Sequence, residues 1–127
     1  MLSDARINEL KRFAGEIRME TLKAISHVPS GHLGGALSMA EVLSVLYGEQ
    51  LKCDPENPKW EDRDWLVLSK GHCGPGLYAA LALKGFFPME EVIEKFSKFG
   101  SPYIGHPNNK LKGIEMNSGS LGHGLPV

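Results

Sequence analysis

The stretch SKGHCGPG, residues 69–76, decides the fold of this chain. It follows the apolar run WLVL at residues 65–68, which charged residues precede. A short apolar run bounded by polar residues predicts a strand that is buried on both faces. The good helix formers of residues 77–84 come next and Gly85 closes them, so the predicted order is strand, glycine-rich turn, helix. In open α/β sheets, ligands bind where a strand ends and a helix begins, and His72 lies in that turn.

The composition limits the classes of function. The chain has 127 residues, the size of one domain, and its formal net charge of −1 offers no broad basic surface to a nucleic acid. No apolar run approaches the ~20 residues of a membrane span, and the N-terminus lacks the pattern of a signal peptide. Cys53 and Cys73 form no close pair, which favours reduced thiols. We therefore expect a cytoplasmic protein with neither a nucleic-acid nor a membrane partner.

The spacing of apolar residues predicts a long first helix from about residue 4 to about residue 27. Ser3 is suited to cap its start. Pro29 ends the helix, because the residue before a proline is pushed out of the α region. The charged face of this helix is expected to be solvated.

Two further helices have recognisable starts. Ser38 and Glu41 stand three apart, as in a capping box, and predict a helix from Met39 whose apolar stripe is core. Pro88 suits the first position of a last helix, which covers about residues 89–96.

A histidine lies beside glycine in four segments of the chain. These histidines are His32, His72, His106 and His123. They could form a metal site, although no pair has the i, i+4 spacing of helical zinc ligands. They could also be structural, or they could bind an anionic ligand with several oxygens, such as a sugar phosphate or a cofactor diphosphate. The residues alone leave these three interpretations open.

Only one convincing strand is predicted in the whole chain. A globular α/β domain usually has roughly 20–25% of its residues in strands. The chain is therefore expected to form the opening part of a larger domain, with the remainder supplied elsewhere.

Four segments, taken together and in this order, resemble the N-terminal part of transketolases. They are PSGHLGG at 29–35, LSKGH at 68–72, GHP at 105–107 and SGSLGHG at 118–124. The likeness covers nearly the entire chain and is greatest to the separate N-terminal subunit that occurs where the enzyme is split in two. It implies an α/β fold over residues 1–127: an incomplete thiamine-diphosphate-binding domain, helix-rich with few parallel strands.

The resemblance also implies an activity. Transketolases use thiamine diphosphate and Mg²⁺ to transfer a two-carbon ketol unit between sugar phosphates, in carbohydrate metabolism and the pentose phosphate pathway. His32 resembles the family's histidine that contacts substrate and assists proton transfer. His106 resembles a histidine that contacts the hydroxyls of the donor sugar. Both are candidate catalytic residues.

The same resemblance assigns candidate cofactor-binding residues. His72 resembles the histidine that hydrogen-bonds the cofactor near its diphosphate. The segment that lies against the aminopyrimidine and thiazolium rings is represented by Gly119, Ser120 and Leu121. His123 follows it, where many full-length members carry glutamine.

Two family features have no match in this sequence. One is the Gly-Asp-Gly motif for the metal and the diphosphate, so the Mg²⁺ ligands are expected outside this chain. The other is the glutamate of the separate pyrimidine-binding domain. The resemblance thus implies that the remaining transketolase segments, including the pyrimidine-binding subunit, are partners in a homo- or hetero-oligomer such as a dimer. The chain alone is expected to be inactive.

Three alternatives remain at this point. Within the enzyme class, the synthase that condenses pyruvate with glyceraldehyde phosphate to 1-deoxyxylulose 5-phosphate shares some of these segments. The chain could instead be a non-catalytic fragment that only binds a partner, or a histidine-based metal module.

Overall fold

The structure is a computed structural model, and it describes residues 1–29 and 31–122. Within these residues there are five α-helices: α1 (Asp4–Ile25), α2 (Leu33–Leu37), α3 (Ala40–Val45), α4 (Gly74–Lys84) and α5 (Met89–Lys95). A π-helical turn, Leu46–Gln50, continues α3, and a 3₁₀ turn, Gly71–Cys73, precedes α4. No helix in the described ranges has the length and apolar character needed to cross a membrane.

Helix α4 lies at the centre of the fold. It contacts each of the other four helices, and its residues 74–82 are all buried. Tyr78 and Leu81 are fully inaccessible to solvent and belong to the main core cluster. The helix ends at Gly85, whose φ of 98° is in the left-handed region that glycine adopts without strain. The predicted helix and its terminator are therefore confirmed, and the helix is extended at its N-terminal end by one turn.

Helix α1 begins as the sequence predicts. The Oγ of Ser3 accepts a hydrogen bond from the backbone N–H of Arg6 at 3.2 Å, as an N-cap does. The helix ends at Ile25, before the predicted limit at about residue 27. The charged face is largely solvated, as predicted: Lys11, Arg12, Glu16 and Lys23 are exposed. Arg6, also on this face, is partly buried and donates to Glu49 at 2.8 Å. Long cationic side chains reach neighbouring elements while their stems cover apolar surface.

The predicted strand at residues 65–68 is not formed. These residues belong to neither a helix nor a strand, and no strand pairing exists anywhere in residues 1–29 and 31–122. Trp65 has 63% of its surface exposed, so the run is not buried on both faces. A strand is defined by hydrogen bonds to a neighbour, which an apolar run cannot supply alone. The helix-rich character is confirmed, whereas the expected α/β sheet with parallel strands is absent from the described part.

The predicted capping box is also wrong. Residues 33–37 form α2, a short helix that the sequence did not predict, and Ser38 is its C-cap. The Oγ of Ser38 donates to the carbonyl of Gly35 at 2.9 Å and accepts from the Nζ of Lys70 at 3.3 Å, while Met39 occupies the N-cap position of α3. Glu41 instead pairs with Arg18 of α1, an interaction that lowers the pKa of Glu41.

The remaining helix starts differ by one residue from prediction. Helix α3 starts at Ala40, after Met39, and its stripe is only partly core: Leu43 is buried whereas Val42 is 52% exposed. Pro88 lies just before α5 with an extended backbone, so it is the N-cap and not the first helical residue.

Candidate functional site

Three of the glycine-flanked histidines converge in space. His32 immediately precedes α2, His72 lies in the 3₁₀ turn before α4, and His106 lies in the irregular segment after α5. The ring centroids of His32 and His72 are 5.2 Å apart, and those of His32 and His106 are 6.4 Å apart. Residues distant in the sequence therefore present their imidazoles to one place.

A cavity of about 280 Å³ lies between these rings. Its lining is formed by His32, His72, His106, Gly119 and Leu121. Among the residues that the structure describes, no acidic side chain belongs to this lining, so none of them repels an anion there. Imidazole and backbone N–H groups are hydrogen-bond donors, and histidine also exchanges protons near neutral pH. The cavity is suited to a ligand that carries several oxygens.

Close packing of α2 against the 3₁₀ turn brings His32 and His72 together. A Cβ added at Gly35 would lie 2.6 Å from the Sγ of Cys73 and 3.1 Å from the Nε2 of His72. Only glycine permits this approach. Burial raises the pKa of the Cys73 thiol, with Lys70 opposing that shift, so Cys73 is a protonated packing residue at neutral pH.

Contacts between two irregular segments, residues 63–68 and 115–118, bring Gly119 to the cavity. Arg63 binds Glu115 through two hydrogen bonds of 2.8 and 2.6 Å, and both side chains are at most 10% exposed. Further along, the Oγ of Ser118 donates to the carbonyl of Leu68 at 2.6 Å. Residues 63–68 and 115–118 thus lie side by side in the same direction, and they lead to His72 and Gly119 respectively.

The predicted site residues have different outcomes. His32, His72, His106, Gly119 and Leu121 meet at the cavity, and their roles stay predictions. Ser120 is exposed and does not line it. His123 lies outside the described residues. Within the ranges that the structure covers, no group of three or more histidine, cysteine, aspartate or glutamate side chains has the arrangement of a metal site.

Sequence reasoning missed the residues that support the site. Tyr78, Arg63 and Glu115 make their contacts across 28 and 52 positions in the sequence. Long-range contacts leave no periodic signal in one sequence, so only the isolated charge of Glu115 beside a glycine-rich segment could have suggested its importance.

Comparison with known proteins decides the family. The family described as "Transketolase, thiamine diphosphate binding domain" matches residues 10–127. The chain belongs to this transketolase family. The resemblance inferred from the histidine segments is therefore confirmed.

Individual relatives agree with this membership. The chain is 49% identical over 118 residues to the 6-deoxy-6-sulfo-D-fructose transketolase subunit SqwG of Clostridium sp. (strain MSTE9), covering 92% of this chain and 42% of that protein. It is 43% identical over 110 residues to an apulose-4-phosphate transketolase subunit of Phocaeicola vulgatus, covering 87% of this chain and 39% of that one. The chain thus spans about two fifths of the length of these relatives.

A solved transketolase shares the fold. The structure of transketolase from Leishmania mexicana superposes with a TM-score of 0.85 at 33% identity, over 91% of this chain and 18% of that chain. The helical arrangement described above is therefore the arrangement of the corresponding segment in a transketolase.

Proposed function

We propose that this chain forms part of the active site of a transketolase, a transferase that moves a two-carbon ketol unit between sugar phosphates. One observation carries the proposal: in a chain of this family, three histidines from separate segments converge with Gly119 on one cavity. The convergence favours a shared ligand over three independent structural histidines.

The chemistry of the cavity fits thiamine diphosphate. Imidazole N–H donors and the exposed Gly119 backbone suit diphosphate oxygens, and a Cβ added at Gly119 would meet only the Cδ2 of His106, at 3.6 Å. When bound, this cofactor supplies the electron sink for cleavage and formation of the carbon–carbon bond. His72 would donate to the diphosphate, and the backbone of residues 119–121, together with His123, would line the place of the cofactor rings.

The other two histidines have proposed roles at the substrate. His32 has an exposed imidazole at the start of α2 and would contact the substrate and move a proton there. His106, across the cavity from His32, would bind the hydroxyls of the donor sugar phosphate. None of the described carboxylates lines the cavity, so the ligands for Mg²⁺, which prefers oxygen donors, would come from another part of the assembled enzyme.

The fold supports a partner that completes residues 1–127 to a whole thiamine-diphosphate-binding domain. Residues 64–68 are unpaired in the described part of the chain, forming neither a helix nor a strand, and Trp65 among them is largely exposed. An apolar segment without strand pairing can offer its backbone to a neighbouring strand. We propose that the remaining transketolase segments, including a pyrimidine-binding subunit, provide this strand in a cytoplasmic oligomer. A dimer and a place in the pentose phosphate pathway are part of the proposal.

A segment exchange tests the function. The matching segment of the Clostridium relative is replaced by residues 10–127 of this chain, and ketol transfer from that relative's own donor sugar is measured. We expect turnover that requires thiamine diphosphate. The unmodified relative is the positive control. A chimera that folds and binds the cofactor but transfers no ketol unit would contradict the proposal.

A further inference from the structure

One buried hydroxyl links the central helix to the loop that carries His106. Tyr78 of α4 is fully inaccessible to solvent. Its hydroxyl lies 2.9 Å from the carbonyl oxygen of Ile104 and also makes a short hydrogen bond to the carbonyl oxygen of His106. A phenol has one proton, so the two carbonyls on either side of Gly105 share a single donor. Burial raises the pKa of Tyr78, which keeps that proton in place at physiological pH.

The same loop rests on the first turn of α4. A Cβ added at Gly74 would lie 3.0 Å from the carbonyl oxygen of Gly105 and 3.3 Å from the Cα of His106. Pro107, which has no backbone N–H, is buried next to it. The backbone of His106 is thus held from two sides, by the hydroxyl of Tyr78 and by the close approach of Gly74.

Helix α4 therefore connects both sides of the cavity. His72 lies in the 3₁₀ turn that leads directly into it, and Tyr78 fixes the opposite loop from its second turn. A hydrogen bond to the backbone of a residue fixes the position of its Cα and therefore the position of its side chain. A displacement of about 1 Å at a substrate-binding group costs up to 10²-fold in rate.

We propose that Tyr78 is a positioning residue that sets His106 against His32 and His72, and thereby sets the affinity of the cavity for the donor sugar. That the ligand is a donor sugar rests on the proposed function. The ring of Tyr78 does not reach the cavity lining, so its effect is exerted through His106.

The first test needs no activity. Imidazole resonances of the 127-residue chain are recorded by NMR, and those of His106 are assigned with a His106→Gln variant. Tyr78→Phe keeps the ring and its edge-to-face contact with Tyr103, where the centroids are 6.0 Å apart. We expect the His106 resonances to shift and broaden in Tyr78→Phe. The matched control is Tyr103→Phe, which removes a hydroxyl that donates to Glu91 at 3.2 Å. This control should leave the His106 resonances unchanged.

A second variant covers the case in which Tyr78→Phe fails to fold. Gly74 has a helical backbone with negative φ, so alanine fits there without backbone strain. The added Cβ of Gly74→Ala would crowd the loop at Gly105 and His106 while the hydroxyl of Tyr78 stays in place. It should move the His106 resonances as well. The matched control is Gly15→Ala, where an added Cβ meets nothing within 4 Å. Unchanged His106 resonances in the folded variants would overturn the proposal.

The second test uses the chimera. Tyr78→Phe should lower kcat/KM for the donor sugar by about 10-fold to 100-fold, mainly through KM, with the dissociation constant of the cofactor unchanged. In a His106→Ala background the same change should have no further effect, because the two residues act as one unit. A full additional loss in that background would make Tyr78 a packing residue only. If the chimera shows no ketol transfer at all, the proposed function fails, and the NMR test still decides the role of Tyr78.

Discussion

Two histidines that share one cavity should respond differently to removal. His72 is half-buried in the turn before α4, whereas His32 is exposed at the start of α2. Neither belongs to the hydrophobic core cluster, so neither substitution removes core packing. Their separate positions match separate roles, one towards the cofactor and one towards the substrate.

His72→Ala should weaken cofactor binding in the chimera. It removes a hydrogen bond to a charged group, typically worth ~1.5–3 kcal/mol, which is roughly a ten- to hundredfold rise in the dissociation constant. Excess cofactor should recover much of the rate. His32→Ala should lose about 10²–10⁴ in rate, and added cofactor should not restore it.

Turnover against cofactor concentration, measured together with the melting temperature, separates these outcomes. If the histidines are structural, both variants lose thermal stability and activity falls only with the folded fraction. Full activity of His32→Ala at saturating substrate would remove its catalytic role.

At the scale of the elements, the bounds of α1 and the C-terminal end of α4 were predictable, whereas the short helix α2 and the connections were not. Apolar spacing, Ser3 and Gly85 define α1 and the end of α4, because these signals are local. The strand at residues 65–68 and the cap at Ser38 failed for a common reason. Each needs a specific backbone partner. The apolar run lies beside residues 115–118 without strand pairing among the described residues, and α3 begins after Met39 and not after Ser38.

In the candidate site, too, some residues could be predicted from the sequence and others could not. The glycine-flanked histidines could be selected from the sequence, and family resemblance placed them in one site. The pairing of Arg63 with Glu115, which aligns residues 63–68 with 115–118, has no local signature. Only the folded chain brings these side chains into contact.

This ion pair makes a prediction about acid stability. Hydrogen bonds from Arg63 hold the pKa of Glu115 below its usual range. A carboxylate with a depressed folded pKa stabilises the fold above its unfolded pKa of about 4.3, and the contribution is lost as the pH falls through the lower folded value. Thermal unfolding at about pH 7 and about pH 3 measures the loss.

Glu115→Gln should lower the melting temperature near neutral pH and make it less dependent on pH in that acid range. The matched control is Glu61→Gln, at an exposed position in the loop before Arg63. An identical pH dependence in Glu115→Gln and the wild type would show that the pair does not couple to folding.

At the scale of the whole molecule, exposed apolar side chains indicate where a partner would bind. Trp65, Phe99 and Leu121 are each more than 60% exposed, at 63%, 109% and 64% of their reference surfaces. Leu121 lines the cavity, and Trp65 lies in the segment, residues 63–68, that leads towards it. Apolar surface beside a ligand site is typical of an interface that forms when the site is completed.

The central claim is that this chain holds part of a thiamine-diphosphate site. Calorimetric titration of thiamine diphosphate with Mg²⁺ tests it most directly, with the isolated chain and the chimera measured side by side. We predict weak or undetectable binding by the isolated chain, because its cavity offers histidine and glycine donors and, among the described residues, no carboxylate for the metal. The chimera should bind the cofactor in a Mg²⁺-dependent way. Tight, Mg²⁺-dependent binding by the isolated chain, or no binding by the folded chimera, would contradict the claim.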